Sequence, residues 1–145
     1  LSQPVELMDI MPTLLEAAGT PAPSSVEGRS LLPLIKGETA WREYVHGECA
    51  SVPTLDSGMQ YLTDGRRKYI WLPGPGVEQY FDLESDPREL HDLARDPSRA
   101  GEMARWRERL IRELAGRPEG FTNGKSLLPL GQPTASCLPG FERPA

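Results

Sequence analysis

Few residues in this chain have the type and spacing for chemistry. It has two histidines, His46 and His91, and neither lies near a Cys-x-x-Cys pair or a closely spaced carboxylate cluster. His46 and Glu48 are two residues apart, so on a strand both side chains leave the same face, a geometry open to two metal ligands. With no third ligand nearby, an ordinary hydrogen-bonded pair is the better reading. Asp82, Glu84, Asp86 and Glu89 gather around Pro87 and read as turn and cap chemistry with solvated carboxylates. Gly124-Lys125-Ser126 imitates the end of a phosphate-binding loop. That loop needs a glycine where Glu119 stands and a long helix after it, which Leu127-Leu128-Pro129 does not open. Serine and aspartate are plentiful, and no nucleophile stands out with its base. These residues assign no catalytic group, metal ligand or bound cofactor to the chain.

A short series of elements carries them. A helix is predicted from Asp9 to Ala18, with Asp9 as N-cap, Pro12 tolerated in the first turn and Gly19 as the stop. Ile10, Leu14, Leu15 and Ala18 form its apolar stripe. After a loop from Gly19 to Gly28, Ser30 caps a short helical turn through Leu31, Leu32, Leu34 and Ile35, ending at Gly37. From Arg42 the period becomes two, with Tyr44, His46 and Glu48 on one face. Further strands are predicted from Gly58 to Thr63, Arg66 to Leu72 and Glu78 to Leu83. Asp64-Gly65 forms the first hairpin turn, both residues being expected at positive φ, and Pro73-Gly74-Pro75-Gly76 forms the next connection.

From Pro97 to Ala115 a helical period returns, with Met103, Trp106, Leu110 and Leu114 on one face, flanked by Arg107 and Ile111. Glu108 with Arg112 and Arg109 with Glu113 are i,i+4 pairs adding only ~0.2–0.5 kcal/mol each. Gly116 and Pro118 end the helix. The fold class is α+β, a small antiparallel sheet of about four strands packed with a C-terminal amphipathic helix. Residues 1–37 form a helical segment, 38–116 the sheet-and-helix subdomain, and 117–145 an irregular tail that either wraps another surface or stays without order. The heptapeptide Gly28-Arg29-Ser30-Leu31-Leu32-Pro33-Leu34 returns as Gly124-Lys125-Ser126-Leu127-Leu128-Pro129-Leu130. Nothing around the two copies matches, so coincidence or a shared cap-and-turn solution is a better account than a repeat architecture.

A chain of 145 residues is long enough for one domain with a core, and its 15 prolines and 14 glycines make it loop-rich. A net charge of −5 gives no support to nucleic-acid or anionic-membrane binding. No apolar run approaches the ~20 residues of a membrane span. Two distant cysteines, Cys49 and Cys137, do not make a disulfide scaffold. The first residue is Leu1, and the opening reads as a chain already under way. A soluble, bacterial-type protein, cytoplasmic or periplasmic, fits these features.

The order of the segments carries a resemblance. Val5-Glu6-Leu7-Met8-Asp9-Ile10-Met11-Pro12-Thr13-Leu14-Leu15-Glu16-Ala17-Ala18-Gly19 resembles the Asp-x-x-Pro-Thr-Leu-Leu helix that follows the catalytic core of sulfatases. Gly28 to Leu34 resembles the next turn of that family, Gly-x-Ser-Leu-x-Pro-Leu. Arg67-Lys68-Tyr69-Ile70 resembles its Lys-Tyr strand, and Gln79-Tyr80-Phe81-Asp82-Leu83-Glu84-Ser85-Asp86-Pro87-Arg88-Glu89-Leu90 its Tyr-Asp-Leu-x-x-Asp-Pro-x-Glu turn. Asp92-Leu93-Ala94 stands where the family usually has Asn-Leu-Ala. The likeness spans about residues 3 to 115, in order and at matching spacing.

The resemblance implies the C-terminal part of an α/β sulfatase fold whose large parallel sheet is absent from this chain. It also implies a parent enzyme that hydrolyses sulfate esters. In that family a formylglycine hydrate attacks the sulfur while a divalent cation, usually Ca²⁺, and basic residues stabilise the developing charge. Those groups lie upstream in the family, and none maps onto this chain. Cys137-Leu138-Pro139 begins like the Cys-x-Pro-x-Arg motif that becomes formylglycine, but Phe141 stands in place of the arginine. The implied partners are the N-terminal catalytic domain and a small-molecule sulfate ester. His46 and Glu48, in a Tyr-x-His-Gly-Glu strand, are the candidate substrate-pocket residues. The chain alone is expected to be inactive and to expose the apolar face of Ile10, Leu14 and Leu15. Two alternatives stand beside this reading. One is a phosphonate monoester or phosphodiester hydrolase of the same superfamily. The other is a non-catalytic interaction module presenting Trp41, Trp71 and Trp106.

Overall fold

A computed structural model of the chain describes residues 2–49 and 58–130. The chain divides into two compact units, Leu1–Val45 and His46–Ala145. Cys137 and Phe141 lie outside the described residues.

In the first unit a 3₁₀ turn, Leu7–Asp9, leads into α1, Ile10–Ala17. Pro12 is buried at the third position of α1, where a missing N–H costs no intrahelical bond. The helix closes with Gly19 N–H on the Glu16 carbonyl at 3.0 Å and Thr20 N–H on the Leu15 carbonyl at 2.9 Å, the paired bonds of a helix stop. The short helix α2, Leu32–Ile35, follows Ser30, whose hydroxyl accepts the Leu32 N–H at 3.2 Å.

Asp9 does not cap α1. Its backbone is already helical (φ −76°, ψ −17°), and its side chain accepts nothing from the first turn of that helix. The residue is 0% exposed. Its carboxylate takes two Arg42 nitrogens at 2.7 Å each, the Arg29 N–H at 2.8 Å and the Glu6 N–H at 2.8 Å. A bidentate guanidinium outcompetes the helix-end amides for a buried carboxylate. Burial alone would raise the Asp9 pKa, but Arg42 and the two amides outweigh it and hold the group below its ordinary range. Thr13 completes the arrangement: its hydroxyl donates to the Asp9 carbonyl at 2.5 Å and accepts the Leu31 N–H at 2.9 Å. The aspartate and threonine of the Asp-x-x-Pro-Thr block therefore both grip the segment 29–31. Ile10 and Leu14, 50% and 64% exposed, turn outward together with Leu7, Met8 and Met11, while Leu15 is half-buried.

The sheet consists of β1 (Val45–Cys49), which belongs to the second unit from His46 onward, with β2 (Met59–Thr63), β3 (Arg67–Leu72) and β4 (Val77–Asp82) side by side in chain order. The β2–β3 and β3–β4 pairs are antiparallel. Their register sets Leu62 beside Tyr69 and Tyr69 beside Tyr80, three fully buried side chains on one face of the sheet. Helix α3, Ala100–Glu113, packs against β2 and β3. Met103, Trp106, Leu110, Ile111 and Leu114 are buried, as the helical period predicts. Asp96 caps the 3₁₀ turn Pro97–Arg99 that starts this helix, accepting the Ser98 N–H at 2.9 Å.

Two further expectations change. Asp64 and Arg67 face each other across the first hairpin, so its central residues are Gly65 and Arg66 rather than Asp64 and Gly65. Only Gly65 has positive φ (85°), while Asp64 instead accepts the Arg66 and Arg67 N–H groups at 2.8 and 2.7 Å. Trp71 and Trp106 are core residues, 2% and 3% exposed, and offer no surface to a partner. The core claims them because each buried aromatic removes a large apolar area from water.

The acidic cluster is structural. Asp82 receives an Arg67 nitrogen at 2.7 Å and the Glu84 N–H at 3.1 Å, and Asp86 receives the His91 N–H at 2.7 Å. Glu89 holds Lys68 Nζ between its two oxygens at 2.9 and 3.0 Å. Asp92 Oδ1 accepts the Tyr80 N–H at 3.0 Å and the Ala94 N–H at 2.9 Å. An asparagine oxygen accepts equally well there, which explains how Asp substitutes for the usual Asn.

The two heptapeptide copies fold differently. The first contributes α2, and Gly28 is required because a Cβ there would lie 2.0 Å from the Met8 carbonyl oxygen. The second begins in a loop closed by the isolated bridge between Thr122 and Leu127. Among the described residues, no helix is long and apolar enough to cross a membrane.

Candidate functional site

His46 and Glu48, the candidate pocket residues, are tied to each other through a third side chain. Gln60 on β2 is 3% exposed. Its Oε1 lies 2.8 Å from His46 Nε2, and its Nε2–H₂ donates to Glu48 at 3.1 Å. The strand period puts both β1 residues on one side, and β2 supplies the bridge.

The carboxylate of Glu48 is then taken by Arg117, 69 positions away in sequence, at 2.7 Å from Nη1 and 3.4 Å from Nη2. Arg117 follows the end of α3 and also donates to Glu119 at 2.6 and 3.3 Å. Its guanidinium lies 5.6 Å from the Phe121 ring centroid, and Phe121 meets Trp71 edge-on at 5.8 Å. Glu119 and Glu48 hold the Arg117 pKa above the usual guanidinium range against the opposing effect of burial. In return, the bond from Arg117 outweighs burial and lowers the Glu119 pKa. The whole chain of contacts reads His46–Gln60–Glu48–Arg117–Glu119.

Its chemistry is that of an oriented hydrogen-bonding wall. Glu48 already faces a cation, and a divalent metal on the same oxygens would have to displace Arg117 or meet its positive charge. Among the described residues no group of three or more His, Cys, Asp or Glu side chains could hold a metal ion. The arrangement does not fit a Ca²⁺ ion, whose ligands the sequence resemblance places upstream of this chain.

Gly47, between the two site residues, has a steric reason. A Cβ there would lie 2.2 Å from the Tyr61 ring, and that ring is backed by Lys68 Nζ at 5.2 Å. Gly47→Ala is expected to cost about 1–3 kcal/mol, the usual penalty for overpacking, read as a lower urea midpoint at unchanged slope. A Tyr61→Leu background should shrink the loss. An equal loss in both backgrounds would show that the ring is not the obstacle.

Sequence reading placed His46 and Glu48 on one face and missed Gln60, Arg117 and Phe121. Gln60 had one signal, a polar residue in phase with the apolar Leu62. Arg117 had none.

Residues 2–115 match the family described as N-sulphoglucosamine sulphohydrolase, C-terminal. An arylsulfatase of Clostridium perfringens is 43% identical over 125 residues, which cover 86% of this chain and 25% of that protein. A solved 2-O GAG sulfatase superposes with a TM-score of 0.65 at 29% identity, over 73% of this chain and 24% of that one. A phosphonate monoester hydrolase from Silicibacter pomeroyi does so with a TM-score of 0.65 at 28% identity, over 77% and 25%. The chain thus spans about a quarter of the length of the relatives it matches.

Proposed function

This chain belongs to the N-sulphoglucosamine sulphohydrolase C-terminal family and matches the C-terminal region of sulfatases, and from that premise we propose that it completes an enzyme hydrolysing sulfate esters. The observation that carries this reading is the 43% identity to an arylsulfatase, confined to a quarter of that protein's length. The partner is an N-terminal catalytic domain bearing the nucleophile, a formylglycine, and the Ca²⁺ that stabilises charge on the sulfuryl group. Residues 1–37 dock on that domain through the outward face of Leu7, Ile10, Met11 and Leu14, a patch too apolar to be left to water without cost. Residues 38–116 wall the substrate pocket with His46 and Glu48, and 117–145 form a tail whose first part supplies Arg117.

The test is turnover of an aryl sulfate. The 145-residue chain is expected to show none at any calcium concentration, and the full-length polypeptide to show calcium-dependent turnover. Activity of the chain above a matched blank would overturn the proposal. In the full-length protein, His46→Ala is expected to lower kcat/KM about tenfold, or ~1.4 kcal/mol of transition-state binding. An unchanged kcat/KM would remove His46 from the pocket.

A second reading has a specific observation behind it, the superposition on a phosphonate monoester hydrolase with a TM-score of 0.65. Comparing kcat/KM for matched aryl sulfate and aryl phosphonate monoesters decides between the two. A preference for the phosphonate would favour the second.

A further inference from the structure

The carboxamide of Gln60 sits between an imidazole and a carboxylate, and its two ends are chemically different. A carboxylate only accepts, so the Gln60 nitrogen must face Glu48, at 3.1 Å. The reverse orientation would set two acceptors against each other at that distance. The Gln60 oxygen must therefore face His46 Nε2, at 2.8 Å, and an oxygen acceptor requires a donor there. His46 Nε2 carries the proton, and in the neutral ring Nδ1 is the acceptor.

This choice depends on Glu48 staying where it is. Its side chain is 43% exposed, and the group that clamps it is Arg117 at 2.7 Å. Arg117 is in turn held by Glu119 at 2.6 Å and by the Phe121 ring beneath it. We propose that Arg117 is a positioning residue that, through Glu48 and Gln60, fixes His46 as the Nε2–H tautomer. The proposal deepens the pocket reading and rests on it for its functional meaning. A substrate group reaching Nδ1 of the neutral His46 ring must be a hydrogen-bond donor, a hydroxyl or N–H beside the ester rather than a sulfate oxygen.

Nitrogen-15 spectra of histidine side chains report the tautomer directly. The chain has two histidines, so His91→Gln in the 145-residue chain leaves His46 as the one imidazole observed. In that background the neutral ring is expected to show a protonated Nε2 and an unprotonated Nδ1. Adding Arg117→Gln should move both nitrogens toward averaged shifts, as the two tautomers exchange. A protonated Nδ1 before that change, or an unaltered Nε2–H pattern after it, would overturn the proposal.

Glu48→Gln gives a second readout if Arg117→Gln disturbs the fold. An amide at 48 can donate as well as accept, so it no longer dictates which end of Gln60 faces His46, and the His46 nitrogens are expected to average. An unaltered Nε2–H pattern in that variant would overturn the relay. The tautomer result is separable from the kinetics of His46→Ala in the full-length enzyme. If the relay holds while those kinetics are unchanged, the pocket reading fails alone. If the kinetics fall while the tautomer is unfixed, the positioning role fails alone.

Discussion

Arg42→Ala is expected to destabilise the first unit by about 3–5 kcal/mol, the usual cost of removing one partner from a buried ion pair. The variant leaves Asp9, 0% exposed, with only the Arg29 and Glu6 amides and no cation. It also removes the guanidinium held 5.0 Å from the Trp41 ring and the contact to Glu6 at 3.0 Å. Hydrogen exchange localised to residues 2–45 measures the effect, because the amides of Glu6 and Arg29 bond directly to the Asp9 carboxylate. Protection of those amides should fall by roughly two to four decades. A change of less than a factor of ten would mean the pair is screened and the unit is held by other contacts.

The same pair sets the response to acid, and the sign follows from the direction of its pKa shift. In the native chain the Asp9 pKa is held below its ordinary value. Its contribution is therefore complete above the unfolded-state value of about 4 and is lost as pH falls through the lower folded-state value. Glu78, with Tyr69 and Arg107 bonded to its carboxylate, and Glu119, with Arg117, act in the same direction in the second unit. Native stability should fall below about pH 4. In Arg42→Ala, burial of Asp9 is no longer offset by the guanidinium, its pKa rises, and the sign reverses. The deficit of the variant should narrow as pH is lowered from 7 toward 4. A constant deficit across that range would show that Asp9 stays charged in the variant.

Trp106→Ala is expected to cost the second unit about 3–5 kcal/mol, as large-to-small changes at buried aromatics do. Trp106 is 3% exposed on α3 and lies within the apolar face it shares with Met103 and Leu110. Arg109 places its guanidinium 4.8 Å from the ring centroid. The measurement is a urea melt followed by far-UV circular dichroism, with the midpoint falling and the slope kept. Trp41→Ala gives a contrast, since Trp41 belongs to the first unit, where its Nε1–H donates to the Pro4 carbonyl at 2.7 Å. A Trp106→Ala chain that melts like the unaltered one would return Trp106 to the surface and revive the interaction-module reading.

The elements legible in advance are those whose signal is local. The apolar period of α3, the alternation of β2 and the helix stop at Gly19 all lie within windows of a few turns or one strand, and each appears where it was read. Strands β3 and β4 lie within one residue of their expected bounds, but each buries three consecutive residues rather than every second one. The shared face of His46 and Glu48 follows from the two-residue period of a strand, whatever packs on it. Asp9 was misread because a helix-start aspartate looks the same in sequence whether it caps the helix or meets an arginine 33 positions away. The hairpin was misplaced by one residue because Asp64-Gly65 and Gly65-Arg66 both put a glycine where positive φ is needed.

Sequence alone determined the order and type of the elements, the buried face of α3 and the pairing of His46 with Glu48 on one side of a strand. It could do so because backbone periodicity and turn chemistry are encoded by neighbours. Only the tertiary structure decided which charges meet. Arg42 on Asp9, Arg107 on Glu78 and Arg117 on Glu48 join residues 33, 29 and 69 positions apart. An arginine in a sequence reads the same whether it is solvated or buried in an ion pair, and only the folded chain brings the carboxylate within reach.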